Sequence, residues 1–329
     1  MGPGLEGGSL RLSRVALTAV LALGAVLYAS GIHAQTTVRI ANFQNTVALA
    51  LYHGIDKGYF KEAGLDIELI KVASGAASVQ AVAAGQADVG WAATAVPMFA
   101  RANGVKVKMF MTVDQEGPPN HYGTFYIASG KSGVTDFKNI KGKTIVINAF
   151  GTAGELGFRE RLQKAGVAWE DIKTVVVPFP QMPAALELGN GDVVCTIQPM
   201  AAAIMANKAI DAKTLDRGTI TASATQPVTA SAYFATDEWI AKNEKTALAF
   251  GRAFLRAQKE LHADQKMRID LVMKIAGMDR ATAETIPEAW FETLSVKKES
   301  AAPNFEALVK TGMLKNPFPI DEVIATLPY

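Results

Sequence analysis

Five short stretches place small or polar residues where a strand is expected to end and a helix to begin. They are Gln44-Asn45-Thr46, Ser74-Gly75, Ala92-Ala93-Thr94, Gly151-Thr152-Ala153-Gly154 and Gln198-Pro199. Helix starts present backbone N–H groups without intrahelical acceptors. With Ser/Thr hydroxyls and the helix dipole, these favour an anion without any protein cation. Ser, Thr and Gly also begin ordinary helices, so the set converging on one cleft, rather than any single member, points to binding. Aromatic residues stand at expected strand ends too. Trp91, Phe150, Phe179 and Tyr233 offer stacking surfaces for a ligand, with core packing as the competing use.

Groups for bond-making chemistry are sparse. No G-x-S-x-G or H-E-x-x-H occurs, no G-x-G-x-x-G follows an expected strand, and the Gly151 loop lacks the Gly-Lys-Ser/Thr ending of a nucleotide-binding loop. His53 lies inside a helical pattern and reads as a packing or surface histidine. His121, in Pro118-Pro119-Asn120-His121-Tyr122, lies in an expected hinge. Cys195 is the single cysteine, so intramolecular disulfides and thiolate clusters are excluded. In a buried strand it packs as a small hydrophobe. Asp88 and Asp192 follow helix-ending glycines and are expected to fix turns rather than act as an acid pair. No catalytic residue, metal ion or cofactor is expected.

These loops need strands and helices to hold them. Alternation predicts strands at 37–43, 65–71, 88–91, 105–113 and 122–128. A second series follows at 143–148, 174–177, 193–197 and 228–235. Between them, helical patterns ending in glycine or a polar residue cover 47–57 (capped by Thr46), 74–84, 95–103, 152–165, 182–188 and 199–207. Strands alternating with short helices imply a mainly parallel α/β arrangement. Beyond residue 235 the chain reads as mostly helical, with helices at 244–262, 268–276 and 280–286 expected to pack around the first lobe. Gly85-Gln86-Ala87-Asp88-Val89 recurs as Gly189-Asn190-Gly191-Asp192-Val193, and Pro97-Met98 as Pro199-Met200. A spacing of about 100 residues is too long for a solenoid and fits two similar lobes.

The chain has 329 residues, 49% hydrophobic and 19% charged, which fits a folded protein of about two domains. A net charge of +2 argues against nucleic acid as a partner. At the N-terminus, Arg11 and Arg14 precede the apolar run Val15–Ala29 and then Ser30-Gly31-Ile32-His33-Ala34. This order reads as an export signal cleaved after Ala34, and a periplasmic protein is expected. Cleavage there removes Arg11, Arg14 and Glu6 and lowers the net charge from +2 to +1.

Gly58-Tyr59-Phe60-Lys61-Glu62-Ala63-Gly64-Leu65-Asp66-Ile67-Glu68 resembles a signature of the nitrate/sulfonate/taurine-type solute-binding proteins of ABC importers. That family also includes binders of pyrimidine precursors related to thiamine metabolism. Ser74-Gly75, Ala83-Ala84-Gly85-Gln86-Ala87-Asp88-Val89-Gly90, Asn139–Ile145, Phe150-Gly151-Thr152 and Pro180–Leu186 extend the resemblance across residues 37–265. It implies a type II periplasmic-binding fold, with two α/β lobes joined by two crossover strands near Glu116–Ala128 and Ala222–Tyr233. The lobes would comprise residues 35–121 with 229–329, and 122–228. Carried over by position, ligand contacts fall on Gln44, Asn45, Ser74, Ala93 and Thr94. From the second lobe they fall on Gly151, Thr152, Gln181 and Gln198. Trp91, Phe150 or Tyr233 would add an aromatic wall. No Arg or Lys can be placed in the cleft, and the cysteine-rich motif of thiamine-pyrimidine synthases is missing. The expectation is therefore a monomeric receptor for a small organic anion, a sulfonate or aromatic carboxylate, serving an ABC permease. A binder or biosynthetic enzyme for a thiamine-type pyrimidine precursor, and a sensor domain, remain as alternatives.

Overall fold

The computed structural model describes residues 1–2 and 35–329. Residues 3–34 lie outside the described residues, and with them the inferred export signal. Among the described residues ten strands form two five-stranded sheets. The first holds β1 (Thr36–Asn42), β2 (Leu65–Lys71), β3 (Val89–Ala93), β4 (Val107–Glu116) and β10 (Val228–Thr236), in the order β2-β1-β3-β10-β4. The second holds β5 (Thr124–Ala128), β6 (Thr144–Ile147), β7 (Lys173–Val176), β8 (Val193–Ile197) and β9 (Lys213–Arg217), in the order β7-β6-β8-β5-β9. In each sheet the strand arriving from the other one inserts antiparallel beside the third parallel strand. The chain therefore crosses twice, through residues 117–123 and 218–227.

The two halves repeat one another in detail. β1 pairs with β3 through Ile40↔Val89 and Ala41↔Gly90, and β6 pairs with β8 through Ile145↔Val193 and Val146↔Val194. The sequence echo has a structural counterpart. Gly85 and Gly189 take φ of 69° and 76° to end their helices, a left-handed turn that glycine adopts without steric cost. Three residues later, Asp88 accepts the backbone N–H of Arg39 at 2.8 Å and Asp192 accepts that of Thr144 at 2.7 Å. Each aspartate ties the start of its strand to the neighbouring parallel strand, which is the turn-fixing role expected of both.

Strand alternation splits each sheet into two packed faces. In the first sheet Val38, Ile40, Trp91 and Tyr233 lie in one cluster with Leu49, Leu51, Phe250 and Phe254. These come from helices α1 (Leu49–Asp56) and α9 (Glu244–Ala263), labelled in chain order. The other face carries the small residues Ala41, Ala92 and Ala232, clustered with residues of α3 (Gly75–Ala83), α4 (Ala95–Ala102) and α12 (Lys298–Lys310). In the second sheet Tyr126, Ile145, Ile147 and Cys195 meet Phe158 and Leu162 of α5 (Ala153–Ala165). Ile127, Val146 and Val194 cluster with residues of α6 (Met182–Glu187) and α7 (Met200–Ala206).

Several boundaries differ from the sequence reading for identifiable reasons. α1 begins two residues late because Asn45 Oδ1, not Thr46, accepts the N–H of Ala48, at 2.8 Å. β4 runs on to Glu116 because Gln115 and Glu116 find partners inside the fold. β9 escapes detection because Lys-Thr-Leu-Asp-Arg carries little apolar signal on an edge strand. α12 holds Pro303 in its interior, which reads as a breaker. The late helices also do more than cover the first sheet. α11 (Arg280–Glu284) packs on α7, and α12 touches α5, so both reach the second lobe.

Glu116, 1% exposed, stands where β4 leaves the first sheet. Its Oε1 accepts the N–H groups of Gly123 (2.9 Å) and Thr124 (2.7 Å), and its Oε2 accepts that of Thr219 (2.5 Å). One carboxyl thus fastens both crossover segments, each of which would otherwise hold unpaired backbone donors away from water.

Candidate functional site

A cavity opens between the carboxyl ends of the two sets of parallel strands. The first lobe contributes Phe43 after β1, Gly75, Trp91, Ala93 and Val96. The second contributes Thr124, Asn148, Thr152, Ala153, Gly154, Phe179, Cys195 and Ile197. The lobes touch across it: the rings of Phe43 and Phe179 stack 5.9 Å apart, and Phe43 lies 4.5 Å from Trp91. The cavity measures about 50 Å3, well below the ~300 Å3 of typical small-molecule sites. The lobes must part to admit a ligand.

The polar side of the cavity is the start of α5. Thr152, its N-cap, makes no side-chain bond to the helix. Its hydroxyl turns back to Asn148 Oδ1 (3.1 Å) and Ala149 O (2.7 Å), which fixes the loop. The first-turn N–H groups of Ala153 and Gly154 have no intrahelical acceptors. Glu155 sits in the same turn, but its carboxylate is engaged by Gly151 N (2.8 Å) and Arg159 Nε (2.8 Å). No Asp, Glu, Lys or Arg lines the cavity. Cys195 does, yet burial pushes its thiol up to about 12, so it is not a thiolate at neutral pH.

Behind Trp91 lies a buried polar chain. Trp91 Nε1 donates to Ser231 Oγ at 3.0 Å, and Ser231 donates to Asp114 Oδ1. Asp114 is 4% exposed, and burial first, then the charge of Glu116, raise its carboxyl to about 7. The Ser231 hydrogen bond works in the opposite direction and is outweighed.

Of the twelve residues proposed from sequence, Trp91, Ala93 and Thr152 line this cavity. Ser74 stands beside it, capping α3 through the N–H of Ala77 at 3.2 Å. Asn45 is fully buried and holds the N–H of Ala48 in the turn before α1, and Gln44 reaches outward to Ile275 O at 2.6 Å. Thr94 is buried, and its hydroxyl has no hydrogen-bond partner among the described residues. Gly151 takes φ of 70° beside Phe99 of α4. Phe150 is 57% exposed and absent from the cavity wall. Gln181 is exposed in the turn after β7. Gln198 Oε1 accepts the N–H of Ala202 at 3.1 Å and lines a different cavity. Tyr233 pairs with Trp91 but lies deeper, walled off by Phe250 and Phe254 at ring distances of 5.0 and 5.9 Å. Phe179, one of the aromatics read as a stacking surface, lines the cavity too, and Phe43 and Asn148 belong to it without having been singled out. The positions of Phe43 and Asn148 directly after β1 and β6 carry the signal.

The strand exchange and interlobe cavity define the two-lobed fold of periplasmic binding proteins. The aliphatic sulphonate binding protein SsuA of Escherichia coli superposes with a TM-score of 0.70 at 18% identity, over 89% of this chain and 92% of that one. The nitrate-binding protein NrtA of Synechocystis PCC 6803 gives 0.65 at 14% identity, over 89% and 92%. The family model described as NMT1/THI5 like matches residues 45–267, and the chain belongs to that family. YtlA of Bacillus subtilis (strain 168), a candidate binding protein, is 26% identical over 232 residues, covering 68% of this chain. The chain spans 66% of the length of that relative. Among the described residues no helix is long and apolar enough to cross a membrane, and no group of three His, Cys, Asp or Glu could hold a metal ion.

Proposed function

We propose that the protein is an exported solute receptor that captures a small organic anion, a sulfonate or aromatic carboxylate, between its lobes and delivers it to an ABC importer. The observation that carries this reading is the opposition, within one cavity, of open α5 amides and the Phe43–Trp91–Phe179 aromatic group. The amides suit the anionic end, and the rings suit a flat or apolar body. Because no cation lines the cavity, a single negative charge spread over two or three oxygens fits better than a doubly charged group. Residues 35–121 with 229–329 would move as one lobe and 122–228 as the other, closing when ligand touches both. The receptor works as a monomer without catalysis.

The same neutral lining favours a second reading, a planar pyrimidine precursor stacked between the rings. Native mass spectrometry of protein purified without its leader, followed by thermal-shift screening, separates the two. Several degrees of stabilisation by sulfonates or aromatic acids are expected. Stabilisation by pyrimidines alone would replace the ligand class, and turnover of any screened compound would end the receptor reading. Thr152→Val removes two loop hydrogen bonds and is expected to weaken anion binding while leaving the lobe folded. Unchanged affinity would move the site elsewhere.

A further inference from the structure

A second, larger cavity lies elsewhere. A groove of about 590 Å3 runs between α7 of the second lobe and α11 of the C-terminal helices, within the ~300–1,000 Å3 range of small-molecule sites. It opens on the opposite face of the second sheet. Thr124 points into the interlobe cavity, and its neighbour Phe125 points into the groove. The floor is apolar, from Phe125, Ala202, Met205 and Pro287. One ionised side chain lines it, Arg217.

Three observations give this groove a ligand chemistry. Arg217 is directly opposite Phe125 in the β5–β9 ladder, so the guanidinium and the ring lie side by side on one face. Among the described residues the Arg217 guanidinium has no acidic partner, whereas the neighbouring Asp216 is taken by Arg161 at 2.7 Å. Gln198, 5% exposed, commits its oxygen to Ala202 N and keeps its amide N–H groups for the groove. A cation, an amide donor and an aromatic face together match a carboxylate on an aromatic ring. A neutral or cationic ligand would leave Arg217 unmatched.

We propose that this groove is a second binding site, separate from the interlobe cavity, for an aromatic monocarboxylate. Its carboxylate pairs with Arg217 and Gln198 and its ring lies against Phe125 and Met205. Because the walls come from α7 and α11, a bound molecule ties the second lobe to the C-terminal helices. It would favour the arrangement in which these helices touch.

Benzoate is the probe, titrated calorimetrically into the full protein without its leader, with saturable binding at millimolar concentration expected. Arg217→Gln should weaken the groove interaction roughly tenfold to a hundredfold, the value of a charge-assisted hydrogen bond. Met205→Trp, which keeps the charge and fills the groove, should do the same. Trp91→Ala should remove only the interlobe share of benzoate binding and leave a site that Arg217→Gln still weakens. Circular dichroism checks that each of the three variants folds. Loss of benzoate binding in Trp91→Ala with none in Arg217→Gln or Met205→Trp would overturn the proposal while leaving the interlobe site intact. So would absence of saturable benzoate binding to the unaltered protein. Benzoate binding that is unchanged in Trp91→Ala and lost in Arg217→Gln, with no sulfonate stabilising the protein, would instead remove the first reading and keep this one.

Discussion

Asp114 offers the sharpest test of the physical picture, because its carboxyl is buried beside a second acid with one hydroxyl to receive. Its value rises from 3.8 to about 7 on folding, through burial first and the Glu116 charge second. The folded state therefore holds this proton more tightly than the unfolded state between pH 4 and 7. Stability from this group is complete below about 4 and declines as pH rises, reaching its full loss above about 7. Three pH units at 1.36 kcal/mol each give a loss of about 4 kcal/mol. Asp114→Asn keeps the shape and an acceptor for Ser231, and cannot ionise. Relative to the unaltered protein it should gain about 3 kcal/mol more at pH 8 than at pH 5. Urea unfolding followed by circular dichroism at both pH values measures this directly. His121 and Glu288 line the small space beside Asp114, and they remain in both proteins, so the difference isolates Asp114. Equal effects at pH 5 and pH 8 would show that the carboxyl titrates normally and that the Trp91–Ser231–Asp114 chain is wetter than its burial implies.

Three further substitutions probe the framework. A Cβ on Gly157 would lie 1.6 Å from the Tyr126 hydroxyl and 2.6 Å from Thr219 O. Gly157→Ala should therefore cost about 1–3 kcal/mol in urea unfolding despite its better helix propensity, with Tyr126→Phe restoring part. Arg161, 3% exposed, binds Asp216 and the carbonyls of Gly157, Arg217 and Gly218 and covers the Tyr126 ring at 3.9 Å. Arg161→Met should destabilise by about 2–4 kcal/mol, since three carbonyls lose a donor, and a neutral result would refute that role. At Gly151, φ is 70° and an added Cβ would stand 2.9 Å from Phe99 across the lobes. Gly151→Ala is expected to hold the lobes apart, raising the radius of gyration in X-ray scattering, and an unchanged radius would locate the closing contact elsewhere.

Much of the fold was legible because the pattern that encodes it is local. β2 and β8 fall at the residues that alternation predicts, and the repeated Gly–x–x–Asp turn reports the equivalence of the halves before any coordinate is known. β9 was not legible. Its stability comes from pairing beside Phe125 and Tyr126 rather than from its own residues. The C-terminal helices are equally silent about destination, since a helical stripe does not say which lobe it will cover.

The candidate site was legible at the level of loops and not of side chains, and the reason is geometric. A loop after a parallel strand must lie at the cleft, so Thr152 and Ala93 follow from topology alone. Which side chain turns inward depends on the pleat and on what its hydrogen bonds already hold. Asn45 and Gln198 look like ligand contacts by type, yet each commits its oxygen to a backbone N–H just ahead, Ala48 and Ala202. Tyr233 and Trp91 share a face and a register, but only Trp91 reaches the rim, because Phe250 and Phe254 close over the tyrosine. These bonds keep both oxygens out of the interlobe cavity, whose lining includes neither residue. The groups left over are the amides that no side chain caps. At the start of α5 the N-cap hydroxyl turns away and the acidic residue is neutralised, so the donors of that turn stay free for a guest.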